Sequence, residues 1–139
     1  MAFTNPTNEE RRQILEDAKT IAVVGLSNKP ERTSYMVSQA MQSKGYKIIP
    51  VNPTIEEALG EKAIGSLSEL QEPVDIVNVF RRSEEVGPVV EEAIQIKPKV
   101  IWMQQGVYNE EAARKAQEAG ITVVMDQCIK VDHAILVRK

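Results

Sequence analysis

Five short apolar runs punctuate the chain: Ile21-Ala22-Val23-Val24-Gly25, Lys47-Ile48-Ile49-Pro50-Val51, Val74-Asp75-Ile76-Val77-Asn78-Val79-Phe80, Val100-Ile101-Trp102-Met103 and Ile121-Thr122-Val123-Val124-Met125. They are rich in β-branched residues and nearly continuous rather than alternating, the pattern of strands covered on both faces. Between them the apolar spacing lengthens to a helical one. Tyr35, Met36, Val37, Ala40 and Met41 share a stripe that stops at Gly45, and Val86, Val89, Val90, Ala93 and Ile94 form another that stops before Pro98. Asn109, followed by Glu110 and Glu111, reads as an N-cap with acids in the first turn, and Gly120 as the matching C-cap. Upstream, Thr7 and Glu10 have the spacing of a capping box at the head of a helix running to about Lys19, with Ile14 and Leu15 on its apolar side.

Strand alternating with helix implies right-handed crossovers and a parallel sheet. The expected fold is α/β, a Rossmann-like three-layer sandwich with a five-stranded parallel sheet in the order 3-2-1-4-5 and helices on both faces. The stretch from Pro53 to Glu72 departs from the rhythm. It is expected to be an irregular crossover with a helical turn near Glu56–Leu59 and a cap at Ser68. No repeat or linker divides the chain, so residues 1–139 are expected to form one domain, with the helix of residues 1–19 packed on it.

Composition narrows the function classes. A chain of 139 residues buries roughly two thirds of its unfolded surface, enough for a core without staples. A single cysteine excludes a disulfide framework, and a single histidine excludes a multi-histidine metal site, so no metal is expected. No apolar run approaches the roughly 18 residues of a membrane span, and the N-terminal residues do not resemble a signal peptide. A formal charge of −3 argues against general binding to nucleic acid or anionic membranes. The expectation is a cytoplasmic protein with a small-molecule partner and, at most, a homodimer.

Ligands of such sheets bind outside the carboxyl ends of the strands. After the first run come Gly25, Leu26, Ser27, Asn28, Lys29, Pro30, Glu31 and Arg32. A glycine lets a ligand approach the backbone, Ser27 and Asn28 can donate to phosphate oxygens, and Lys29 and Arg32 add positive charge. Thr33 or Ser34 is expected to cap the helix that follows. A solvated loop is the bland alternative. The loop is not the G-x-G-x-x-G dinucleotide fingerprint, because Ser27 replaces the second glycine. The acid expected after the second run is also missing, since the chain there reads Val51-Asn52-Pro53-Thr54. Both departures count against NAD.

Asn52 and Pro53 either border a ligand or only shape the crossover. Val79, Phe80 and Arg81, followed by Arg82, suit a nucleotide wall beside a phosphate; core packing and solvated arginines are the alternative. Gln104 and Gly106 are candidates for the far end of an extended ligand, whereas Trp102 and Met103 read as core. Cys128, the one thiol, is expected near the same rim, but without a histidine base nearby it reads as a small buried residue rather than a nucleophile. His133 is expected on the surface, and Glu84, Glu85, Glu91 and Glu92 on a solvated helix face.

Taken in order, these loops resemble the small stand-alone CoA-binding proteins with a Rossmann-like fold, the YccU-like family, related to the N-terminal CoA-binding domain of the succinyl-CoA synthetase α subunit. The similarity rests on the segments Ile21 to Arg32, Gly45 to Pro53, Val74 to Arg81, Trp102 to Val107 and Val124 to Cys128, within about residues 10 to 132. Ile129 stands where the family often has proline. The resemblance implies a coenzyme A or acyl-CoA site formed by Gly25, Ser27, Asn28 and Lys29, then Asn52 and Pro53, then Val79, Phe80 and Arg81. It supplies no reaction. A pantetheine arm running past Gln104 toward Cys128 would allow a mixed disulfide.

Three functions are therefore weighed. The first is CoA or acyl-CoA binding through the strand-one loop and the ends of strands two and three, without catalysis, since no nucleophile and base are matched. The second is an NAD(H)-binding redox sensor or enzyme. The third is an accessory subunit that docks through helix faces.

Overall fold

The computed structural model describes residues 3–137. Helix α1 (Asn8–Asp17) opens with the Thr7–Glu10 capping box, in which the Thr7 hydroxyl accepts from the Glu10 amide and the Glu10 carboxylate accepts from the Thr7 amide. Strand β1 (Thr20–Val24), helix α2 (Thr33–Ser43) and strand β2 (Lys47–Val51) follow. Two short strands, β3 (Glu57–Ala58) and β4 (Glu61–Lys62), and a 3₁₀ turn at Leu67–Glu69 lead to β5 (Ile76–Val79). The remainder is α3 (Val86–Ile96), β6 (Val100–Met103), α4 (Glu110–Glu118), β7 (Thr122–Val124) and α5 (Ile129–Leu136).

The five main strands are parallel and three-layered packing is as expected, with one apolar cluster on each face of the sheet. Period two sorts β1 between them: Ile21 and Val23 pack with Leu15, Val37, Met41 and Ile129, under α1, α2 and α5. Ala22 and Val24 pack with Val86, Val90, Ala93, Ala112 and Ala116, under α3 and α4. No helix among the described residues is long and apolar enough to cross a membrane.

The strand order corrects the expectation. It is β2-β1-β5-β6-β7, or 2-1-3-4-5 in terms of the five runs, rather than 3-2-1-4-5. The second run is an edge strand, and Pro50 shows why it cannot be internal. A residue's N–H and C=O leave a strand on the same side. The Pro50 carbonyl faces outward to accept from the Ile64 amide at 3.0 Å, so the N–H that proline lacks would face the outer edge. That edge is closed by the crossover itself, through the Ile64 contact and an Asn52 amide bond to the Ile64 carbonyl at 2.8 Å. The third run instead pairs with β1 along Ile21–Ile76 to Val24–Val79.

Three local expectations also change. Glu56–Leu59, good helix formers, enter a hairpin whose turn holds Leu59 at φ 55° and Gly60 at φ 78°. Gln42 of α2 donates to the Leu59 carbonyl at 3.0 Å, a tertiary bond that local propensity does not report. The 3₁₀ turn is capped by position at Ser66, not Ser68. Finally, residues after Cys128 form α5, in which His133 is half-buried against the Tyr46 ring, with centroids 5.7 Å apart. The buried Asp132 carboxylate is paired with Arg11 of α1 at 2.9 Å, which clamps the two helices together.

Candidate functional site at the carboxyl edge of the sheet

With β1 between β2 and β5, the topological switch point lies between β1 and β5. Their ends touch. Gly25 has φ 89°, and a Cβ there would stand 2.3 Å from the Phe80 carbonyl oxygen and 3.2 Å from Arg81 Nη1. Only glycine fits, and its absence of a side chain is what brings the Arg81 guanidinium over the start of the β1 loop.

The loop is braced from several directions. The Gly25 amide donates to the Val51 carbonyl at 2.8 Å, and the buried Asn52 side chain donates to the Leu26 carbonyl at 3.0 Å. Asn52 Oδ1 accepts from the Thr54 amide at 2.9 Å and the Thr54 hydroxyl at 2.8 Å, an Asx turn that closes the end of β2. The Ser27 hydroxyl accepts from the Lys29 amide, and the Ser27 amide donates to Ser34 Oγ, each at 3.0 Å. Neither Thr33 nor Ser34 caps α2, contrary to expectation. The N-cap position is Arg32, which makes no side-chain cap bond, and the Ser34 hydroxyl is directed back to the loop. The first turn of α2 is therefore left without a capping side chain.

These elements border an open cavity of about 990 Å³. Gly25, Ser27, Asn28, Lys29, Arg32, Asn52, Phe80, Arg81, Gln104 and Gly106 all line it. Two candidates do not. Val79 is fully buried in the core, since period two turns its side chain away from that of Phe80, and Pro53 is exposed outside the cavity wall. Thr33, Ser34, Thr54, Ile55, Arg82, Glu85, Gln105, Val107 and Cys128 also contribute. The Asn52-Pro53-Thr54 sequence carried the signal for Thr54, because an asparagine side chain commonly accepts from the amide two residues on. Nothing local marked Ile55 or Val107.

Charge is distributed unevenly around this rim. Arg82 is engaged by Glu85 at 3.4 Å and Glu84 at 3.8 Å. Lys29, Arg32 and Arg81 have no carboxylate within ion-pair distance among the described residues. Three cations and an uncapped helix start thus face the same opening in a chain of net charge −3. At the other end, Gln104 is held by its side-chain oxygen, which accepts from the Ile129 amide and from Asn78 Nδ2, both at 3.3 Å. The Gly106 amide donates to Asp126 at 2.7 Å, tying the β6 and β7 loops together. Trp102 and Met103 are core, as expected, and the indole donates to the Gln127 carbonyl at 2.9 Å.

A family model described as a CoA binding domain matches residues 19–134. The chain belongs to the CoA-binding domain family. It is 59% identical over 131 residues to the uncharacterized protein YneT of Bacillus subtilis (strain 168), covering 94% of this chain and 97% of that protein. A hypothetical protein from Pyrococcus horikoshii OT3 is 38% identical, with a TM-score of 0.92 over 99% of this chain and 100% of that one. An acetyl-coenzyme A synthetase of Ca. Korarchaeum cryptofilum, in its apo form, matches at 25% identity and a TM-score of 0.68. That match covers 78% of this chain but 26% of the synthetase, so the similarity is to one part of a larger enzyme.

Proposed function

We propose that the chain binds coenzyme A or an acyl-CoA at the carboxyl edge of the sheet, through the β1 loop and the ends of β2 and β5, without catalysis of its own. The observation that carries this reading is the set of cations, Lys29, Arg32 and Arg81, that lack carboxylate partners among the described residues, beside the uncapped start of α2. CoA brings a diphosphate and a 3′-phosphate, which match several separated cations better than a single phosphate does. A volume near 990 Å³ lies at the upper end of the roughly 300–1,000 Å³ of small-molecule sites and suits an extended nucleotide. Phe80 offers a flat ring at the wall, and Gly25 gives the phosphate region access to backbone.

When bound, CoA supplies a thiol able to carry acyl groups as thioesters. The chain's own residues bind and orient it: the cations hold the phosphates, and Asn52 fixes the loop that carries Ser27. The end of β2 has no carboxylate on the cavity wall for a ribose diol, which disfavours NAD.

Calorimetric titration with CoA, acetyl-CoA, NAD and ATP side by side tests the reading. Micromolar binding of CoA or acetyl-CoA, with NAD and ATP much weaker, is the expected result. Preference for NAD would overturn it.

A further inference from the structure

Strand β7 ends the sheet, and among the described residues no strand pairs with its outer edge. One residue beyond it, Met125 nevertheless has both backbone groups bonded. Its amide donates to Asn5 Oδ1 and its carbonyl accepts from Asn5 Nδ2, each at 2.8 Å. A carboxamide presents a donor and an acceptor side by side as a peptide group does, so the Asn5 side chain takes the place of a neighbouring strand. Asn5 belongs to the segment ahead of α1, and the family match begins only at residue 19. Six residues on, Arg11 donates to the Pro6 carbonyl and pairs with Asp132. The stretch from Met125 to Asp132 is therefore gripped at both ends by the N-terminal part of the chain.

What lies just inside the first grip holds the cavity rim. Asp126 has φ 59°, in the left-handed region that residues other than glycine rarely adopt. In that conformation its amide donates to the Val107 carbonyl at 3.1 Å, and its Oδ1 accepts from the Gly106 amide at 2.7 Å. The Asn109 amide, just past this loop, donates to the Met125 sulfur at 3.2 Å. Gln104, Gln105, Gly106 and Val107 line the carboxyl-edge opening, whereas Asn5 does not. The order of dependence runs from Asn5 to the Met125 backbone, then to Asp126, then to the β6 loop. In the sheet β6 stands two strands from β1, whose loop carries Lys29 and Arg32.

Resting on the CoA reading above, we infer that Asn5 is a positioning residue for ligand binding: by pinning Met125 it fixes the β6 loop against the part of CoA that extends away from its phosphates. Asn5 touches no ligand. Its docking and occupancy of the far half of the site are coupled, and the coupling is reciprocal, so a ligand that reaches the β6 loop must also tighten the Asn5–Met125 bonds. A ligand confined to the cations does neither.

The test compares CoA with adenosine 3′,5′-bisphosphate, which keeps the nucleotide and phosphates but lacks the pantetheine arm, by calorimetry on the full chain. Asn5→Ala should weaken CoA about fivefold and leave the bisphosphate unchanged. Thr7→Ala, which loosens the start of α1 but keeps both Met125 bonds, should alter neither affinity. In the free protein, Asn5→Ala should lower hydrogen-exchange protection of the Gly106 amide without changing β1. A second measurement needs no variant: in the wild-type chain, saturating CoA should raise protection of the Met125 amide by a similar factor of about five, and the bisphosphate should not. Equal weakening of both ligands by Asn5→Ala, unchanged CoA affinity in that variant, or Met125 protection indifferent to CoA overturns the positioning role and leaves CoA binding standing. A wild-type chain that does not bind CoA overturns the CoA reading together with this inference.

Discussion

The two ends of the sheet carry cavities of similar size, about 990 Å³ at the carboxyl edge and about 810 Å³ at the amino edge, yet their polar groups are in opposite condition. At the amino edge, Asp75 accepts from the Lys19 amide at 2.7 Å and the Thr20 amide at 3.1 Å, and Lys99 lies 3.7 Å from it. Glu10 is committed to the α1 capping box, and Asp17 accepts from Gln13 at 2.9 Å. The polar groups there hold the chain together. At the carboxyl edge, Lys29, Arg32 and Arg81 have no carboxylate partner among the described residues, while Asn52, Ser34 and Asp126 are used to fix loops around them. Hollow volume alone does not separate a binding site from a structural groove; polar groups left without partners in a braced frame do.

The comparison breaks most severely at Gly25. Gly25→Ala should destabilise the fold by roughly 3 kcal/mol in urea unfolding and abolish CoA binding, because a Cβ meets the Phe80 carbonyl at 2.3 Å with φ at 89°. Arg81→Ala should weaken CoA by about tenfold in calorimetry, a loss of about 1.4 kcal/mol, with little change in unfolding midpoint. Asp75→Ala should show the reverse: about 1 kcal/mol of stability lost, since two amides lose their acceptor near solvent, and CoA affinity unaltered. If Asp75→Ala weakens CoA as much as Arg81→Ala does, the division between the two edges fails.

Salt sharpens the same distinction. CoA affinity should fall several-fold as ionic strength rises from about 0.05 to 0.5 M, because the cations face an open site. The smallest effect concerns acid. Hydrogen bonds from the Thr7 amide and then the Thr7 hydroxyl hold the Glu10 carboxyl below its ordinary 4.5. The Phe3 amide and then the Tyr108 hydroxyl do the same for Glu110. A carboxylate with a lowered folded-state value stabilises the fold above its unfolded value, and that contribution is lost as pH falls through the folded one. Protection of the Phe3 and Thr7 amides, measured as exchange relative to the intrinsic rate at each pH, should therefore fall below pH 4.5, before protection at β1 changes.

Much of this arrangement is readable from residue order. The five β-branched runs, the Thr7–Glu10 box, the Asn109 cap and the glycine ending β1 are local signals, and each has its structural counterpart. The strand order was also legible, though only through one residue: Pro50 in the second run marks an edge strand, and giving it full weight excludes 3-2-1-4-5. The correct order matters for the site, because it sets Phe80 and Arg81 directly against Gly25. What stayed hidden was non-local. The hairpin at Leu59–Gly60 depends on Gln42 of α2, and α5 depends on the buried pairing of Asp132 with Arg11. The failure of Ser34 to cap α2 follows from its bond to the Ser27 amide seven residues earlier, which spacing alone does not reveal. Val79 lies off the cavity wall for a simpler reason. Adjacent strand residues face opposite ways, so Val79 and Phe80 cannot both turn their side chains to the same wall.

Amide chemical-shift mapping with unlabelled CoA tests most directly whether the edge with unpartnered polar groups is the one that binds. The account predicts saturable shifts at Ser27, Asn28, Thr33, Ser34, Arg81 and Gly106, with Asp75, Lys99 and Gly120 unmoved. Shifts concentrated at Asp75, Lys99 and Gly120, or none at either edge at millimolar CoA, would contradict it.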